Sequence, residues 1–106
     1  MYMNPDSVNQ FYYVYVLRSK MSDMWYTGLT ADLRKRFKEH NNGESTYTKG
    51  RGPFELIYYE AYKNMTDARS REKQLKSGQG RSYLKQRIKR FLPVRQSLSV
   101  GGTLSG

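Results

Sequence analysis

Aromatic and aliphatic residues fill residues 11–18 (FYYVYVLR), and the period of two of a strand puts Phe11, Tyr13, Tyr15 and Leu17 on one face and Tyr12, Val14 and Val16 on the other. That spacing predicts a strand. A short turn over 19–24 and a second strand over 25–29 (WYTGL) complete an expected antiparallel hairpin. The period then changes. Leu33 and Phe37, four apart, form the apolar stripe of a helix over 32–41, with Thr30 or Asp32 as its cap and Asn42-Gly43 as its stop. Arg36 and His40, also four apart, lean along one edge of that stripe.

A polar, glycine-containing loop over 44–53 (ESTYTKGRGP) leads into a third β-prone run over 54–62 (FELIYYEAY). Residues 64–76 (NMTDARSREKQLK) predict a helix capped by Asn64, with Asp67 three positions on in a variant of the capping box. A glycine break is expected at 77–80, then a last helix over 81–91 with Leu84, Ile88 and Phe91 as its apolar row. Residues 1–10 read as a flexible lead and 93–106, rich in Gly and Ser, as a disordered tail. The order ββα-β-αα predicts an α+β fold over residues 11–92: a three-stranded, largely antiparallel sheet flanked by helices.

One position breaks this pattern. Steps of three, four and three from Met65 run through Ala68, Glu72 and Leu75, so Glu72 falls on the inward stripe of its helix. Arg69, Arg71, Lys73 and Lys76 are expected to face outward. A carboxylate turned toward an interior is unfavourable unless it meets a cation or a metal, which marks Glu72 as a candidate chemical site.

Charge narrows the choice of partner. Nineteen Lys and Arg stand against nine Asp and Glu, a formal charge of +10. Nine basic and only two acidic residues fall between 64 and 92. Such a surface attracts polyanions, chiefly nucleic acid or an anionic membrane; the alternative is a solvated basic face. The membrane reading ranks last, because no amphipathic anchor helix with exposed bulky apolar residues is evident. No run approaches the ~18 apolar residues of a membrane span. The first ten residues lack a signal-peptide pattern, so a cytoplasmic location is the expectation. With no cysteine, disulfides and thiolate zinc sites are excluded. Of the ten tyrosines, some suit half-buried strands and others suit stacking on bases.

Tyr13-Val14-Tyr15, then Tyr26-Thr27-Gly28, Arg36, His40 and Glu72 resemble, in order and spacing, the GIY-YIG endonuclease superfamily. The likeness is closer to its small single-domain bacterial branch, UPF0213-like. It rests on YVYVLRS, WYTGLTADLRKRFKEHNNG, YTKGRGPFELIYYE and the AxxREKQLK run of residues 68–76, and covers residues 11–91. Tyr13 stands at the leading glycine and Thr27 at a usually aliphatic position. A late asparagine found in other members has no counterpart after Glu72.

The resemblance implies a metal-dependent DNA endonuclease of repair or recombination that hydrolyses phosphodiester bonds; because no element reads as a base-recognising helix, direction by DNA structure rather than sequence is expected. It implies catalytic roles for Tyr15, Tyr26, Arg36, His40 and Glu72, with Glu72 holding one Mg²⁺ or Mn²⁺. Arg36 is suited to clamp the phosphate, and Tyr15 to help activate water as base or as relay to His40. Tyr26 would position the water or phosphate, and Gly28 would leave room for substrate. Lys49, Arg51, Arg69, Lys73, Lys76, Arg81 and Lys85 are candidates for contacts with the nucleic-acid backbone, as is Lys89. Each site residue also has a plainer reading: Tyr15 as a strand tyrosine, His40 as a capping or surface histidine, Arg36 as a snorkelling side chain, Glu72 as a helical partner of Arg69 or Lys76. The competing function is a non-catalytic nucleic-acid-binding module that retains the fold.

Overall fold

The computed structural model describes residues 10–89. Residues 1–9 of the expected lead over 1–10, the tail over 93–106 and Phe91 lie outside the described residues. Three strands, β1 (Tyr12–Ser19), β2 (Trp25–Thr30) and β3 (Phe54–Tyr62), alternate with three helices, α1 (Leu33–Asn41), α2 (Met65–Lys76) and α3 (Gly78–Arg87). The sheet order is β2-β1-β3, antiparallel throughout, and the fold is α+β as the element order predicts.

β1 is the central strand, which accounts for its apolar residues on both faces. Val14, Val16 and Leu17 are wholly buried, and Tyr15 nearly so. Tyr15 lies opposite Gly28 on β2 and Tyr59 on β3, and Leu17 lies opposite Tyr26 and Leu56. Tyr15, Leu17, Tyr26 and Phe54 form a core cluster, and Leu33 and Phe37 of α1 pack against it together with Leu56. The stripe read from the sequence therefore sets α1 on that face.

Local chemistry fixes the element ends. Asp32 accepts from the Lys35 backbone N–H at 3.1 Å, and Gly43 follows α1 at φ +74°, a conformation that favours glycine. Asn64 Oδ1 accepts from the Thr66 and Asp67 amides at 2.8 and 3.1 Å. The β1–β2 turn is tied by Arg18, buried against Glu55 at 2.6 Å and paired with Asp23.

The chain divides into two compact units, Met1–Lys73 and Gln74–Gly106. In the second unit the expected glycine break is instead the start of α3. Ser77 Oγ accepts from the Gly80 amide at 3.1 Å, and Gly78 and Gly80 are helical. A Cβ on Gly80 would overlap Gln74 O and Leu75 Cα. This glycine serves a close backbone approach, so the last helix begins three residues earlier than its periodicity predicts. Gly80→Ala should destabilise the protein by about 2 kcal/mol, lowering the melting temperature by about 10 °C in a circular-dichroism melt. An unchanged melt would contradict the close approach.

α2 departs from expectation at two positions. Met65, the first residue of the proposed stripe, is exposed, whereas Ala68 and Leu75 are buried. Arg71 does not face outward but reaches back to the sheet, donating Nε and Nη2 to Glu60 at 2.8 and 2.9 Å.

Candidate functional site

β1 delivers the Tyr15 side chain to the face that carries α1. A Cβ on Gly28 would overlap the Tyr15 ring and hydroxyl. Gly28 thus makes room for the phenol of its cross-strand partner, where the resemblance implies room for substrate. Tyr15 Oη lies 2.8 Å from His40 Nε2, and His40 Nδ1 lies 2.6 Å from Thr48 Oγ1. All three residues are buried, so His40 is neither a surface nor a merely capping histidine. It comes from the last turn of α1, and Arg36 from the turn before.

Arg36 donates Nη1 to Glu39 Oε1 at 2.9 Å and Nη2 to Ser45 Oγ at 3.3 Å. Ser45 and Thr48 are buried, and the Thr48 amide donates to Ser45 O at 3.2 Å. The loop over 44–53 is therefore a wall of the site rather than a simple connector. Sequence reasoning missed both hydroxyls, since Ser45, Thr46 and Thr48 look alike in a polar run. It also missed Glu39.

Burial raises the Tyr15 phenol above its ordinary value; Arg36 opposes the rise, while the charges of Glu72 and Glu39 add to it. Burial lowers the His40 imidazole, with Arg36 adding to the effect and Glu39 opposing it. Both groups are neutral near pH 7. The line Tyr15–His40–Thr48 is thus an uncharged, hydrogen-bonded chain beside a fixed cation.

Tyr26 adjoins this line through Phe54. Its ring meets Phe54 edge-on at 5.5 Å, and Phe54 lies 6.2 Å from the His40 ring. On its other side Tyr26 meets Tyr47 at 5.5 Å, and Tyr47 is 67% exposed. Glu72 is half-buried on α2, close enough for its charge to bear on Tyr15. The fold therefore brings Tyr15, Arg36 and His40 into one cluster, with Tyr26 and Glu72 adjoining it.

Glu72 directly follows Arg71, whose bond to Glu60 holds that turn of the helix. Burial by itself would raise the Glu60 carboxyl. Hydrogen bonds from Arg71 at 2.8 and 2.9 Å, from Tyr58 and from Tyr62 at 2.7 Å outweigh it and hold its pKa at about 2.

Among the described residues no three His, Cys, Asp or Glu side chains gather in a metal-binding cluster. A cation here would take Glu72 as its protein carboxylate and complete its shell with waters and a substrate phosphate. That donor set fits a hard ion of the Mg²⁺ type, which keeps several waters and prefers oxygen. Of the basic candidates, Lys49 and Arg51 are exposed on the loop, and Arg69 and Lys73 on α2. In the second unit Lys76, Arg81, Lys85 and Lys89 are exposed. No helix among the described residues is long and apolar enough to cross a membrane.

The sequence model of the GIY-YIG catalytic domain matches residues 11–85. A UPF0213 protein of Clostridium perfringens is 49% identical over 65 residues, covering 60% of this chain and 69% of its own. A UPF0213 protein of Pediococcus pentosaceus is 42% identical over 79 residues, covering 74% and 81%. The solution NMR structure of the UPF0213 protein BH0048 from Bacillus halodurans is 38% identical, covers 70% of this chain and 81% of that one, and has a TM-score of 0.45. The UPF0213 names assign no activity; the domain itself is that of a nuclease superfamily, which acts on nucleic acid and generally uses divalent metals. With the domain matched over most of its length and the tyrosine strands paired as described, this chain belongs to the GIY-YIG catalytic-domain family.

Proposed function

We propose that this chain is a metal-dependent DNA endonuclease, directed by DNA structure rather than sequence, that acts in repair or recombination. The observation that carries the reading is the buried Tyr15–His40–Thr48 line with Arg36 beside it. A neutral imidazole has one N–H to place. We assign it to Nδ1, donating to Thr48 Oγ1, so that Nε2 accepts the Tyr15 hydroxyl. The other tautomer would turn the phenol proton away from Nε2 and leave it beside the Arg36 cation.

In that arrangement Tyr15 Oη takes a proton from the attacking water as its own proton passes to His40 Nε2. The water oxygen bonds to phosphorus, and the leaving sugar oxygen departs with the bonding electrons and takes a proton from solvent. The imidazolium then returns its proton to solvent. Arg36, oriented by Glu39 and Ser45, offers its remaining N–H groups to the phosphate. Tyr26 positions the water or phosphate from between Phe54 and Tyr47. Glu72 holds the divalent cation, Mg²⁺ or Mn²⁺, which when bound supplies positive charge to the phosphate and leaving oxygen.

Lys49, Arg51, Arg69, Lys73, Lys76, Arg81 and Lys85 contact the DNA backbone in this reading, so binding weakens steeply with salt. No helix among the described residues reads as a base-recognising element, which favours structure over sequence as the determinant.

Purified protein with Mg²⁺ or Mn²⁺ should nick supercoiled plasmid or cut nicked, flapped or four-way-junction DNA. No cleavage across that panel would overturn the reading, and salt-sensitive binding without cleavage would point to the non-catalytic module. Tyr15→Phe should slow cleavage by about 10²- to 10⁴-fold. The rate should also depend on pH in a set direction. His40 accepts a proton only when neutral, and burial places its titration below 6.5. Activity should be flat near neutrality and fall as pH drops below that value. An acid limb centred above pH 6.5 would exclude His40 as the acceptor.

A further inference from the structure

Beside the Tyr15 line, on the same face of the sheet, lies an open groove of about 530 Å³. Tyr13, Leu56 and Tyr59 line its sheet side, and Leu33, Arg34 and Phe37 its helix side. None of these residues has a part in the chemistry proposed above. Leu33, Phe37 and Leu56 also pack on the core cluster, so the floor is apolar and anchored. The walls are aromatic and open. Tyr59 is 53% exposed, and its ring meets Tyr13 at 5.9 Å with the planes 62° apart. A tilted edge contact of that kind covers at most one face of one ring, leaving π surface for a flat partner. Arg34 is exposed at the rim beside Asp32, whose carboxylate is engaged by the Lys35 amide at 3.1 Å, on a chain of charge +10.

Position identifies the partner. Tyr13 and Tyr15 are two residues apart on β1, so their side chains share a face about 7 Å apart. A phosphate at the Tyr15 site therefore leaves the base of the same nucleotide within reach of the groove. Both faces of a base in a duplex are covered by its stacked neighbours, so a base that lies against Tyr13 and Tyr59 has left that stack. A flat aromatic ring attached to a polyanion matches the apolar floor, the tyrosine walls and the Arg34 rim together.

We propose that this groove binds one unpaired nucleobase of the substrate strand, stacked on Tyr13 and Tyr59 beside the scissile phosphate, with Arg34 on the neighbouring phosphate. This rests on the nuclease reading and narrows its substrate to DNA with an unstacked nucleotide at the cut, such as a bulge, flap or single strand. Base–aromatic stacking contributes about 1–3 kcal/mol per base, a factor of about 5 to 150 in affinity.

The test uses the full chain in EDTA, so that binding is read without cleavage. Two 30-base-pair DNA probes are compared, one fully paired and one with a single bulged 2-aminopurine. The wild type should bind the bulged probe at least about fivefold more tightly and change its fluorescence. Tyr59→Ala should abolish that preference while leaving affinity for the paired probe unchanged. Tyr59→Leu, which keeps apolar bulk on the strand, should do the same with an unaltered thermal melt. Equal binding of the two probes by the wild type, or a preference that survives Tyr59→Leu, would overturn the groove assignment. So would an equal loss of both affinities, or displacement of neither probe by free mononucleotide while an aromatic peptide fills the groove. The same proteins are then assayed with Mn²⁺. Cleavage of DNA with no role for Tyr59 removes only the groove; Tyr59-dependent bulge binding with no cleavage of any DNA removes only the nuclease reading.

Discussion

Glu72→Gln should leave DNA affinity within about twofold of wild type and slow nicking by about 10³-fold, equivalent to about 4 kcal/mol of transition-state stabilisation. Glutamine matches glutamate in shape, so a half-buried position on α2 keeps its packing and only the charge is lost. Seven exposed cations carry the proposed affinity for DNA, and none is altered by this change. The prediction also separates two roles for the carboxylate. Its charge contributes to the rise in the Tyr15 pKa. If tuning Tyr15 were its whole function, removing it would make the phenol easier to ionise and would not slow the reaction. A large loss requires the other role, holding the cation. Calorimetry with Mn²⁺ provides the second readout: wild type should bind in the presence of non-cleavable DNA, and Glu72→Gln should not. Nicking within tenfold of wild type would remove Glu72 from the site.

How much of this was legible in the sequence differs from element to element. β1 and β3 announce themselves because dense aromatic and branched residues have few other uses, and β3 keeps its expected bounds of Phe54–Tyr62. α1 was readable because stripe, cap and stop agree. Arg36 and His40, four apart on one edge, already implied a shared neighbour, and Tyr15 is that neighbour for His40. What stayed hidden depends on distant backbone. Gly80 reads as a helix breaker until the carbonyl of Gln74 is seen against it. Gly28 reads as space for a ligand until the cross-strand register places Tyr15 there. Thr48 is indistinguishable from Thr46 until the loop turns its hydroxyl to His40 Nδ1. The helical period places Arg71 outward, since the pull of Glu60 on the sheet is no property of the helix.

Arg71→Met should destabilise the protein by about 3 kcal/mol at pH 7, and most of that difference should vanish between pH 5 and pH 2.5. The reason is the charge on Glu60. Its carboxyl titrates at about 2 in the folded chain, below an ordinary value of 4.5. A folded-state pKa that is depressed contributes stability above the unfolded value, and this is lost as pH falls toward the folded one. Solvent reaches both partners, with side-chain exposures of 18% for Glu60 and 23% for Arg71. Discounting for that screening leaves about 2 kcal/mol from the ionisation itself. The rest comes from leaving a half-buried carboxylate with, among the described residues, Tyr58 and Tyr62 as its remaining donors. Glu60→Gln should lose less at pH 7 than Arg71→Met, because it removes the unpaired charge rather than creating one. Urea unfolding followed at several pH values distinguishes this from a packing effect. A gap between wild type and Arg71→Met that is the same at pH 7 and pH 2.5 would mean that the arginine stem, not its pairing with Glu60, supports the helix. The pairing has a functional consequence as well, since Arg71 immediately precedes Glu72. Where Arg71→Met remains folded, it should weaken Mn²⁺ binding, because the turn that presents the carboxylate is no longer tied to β3.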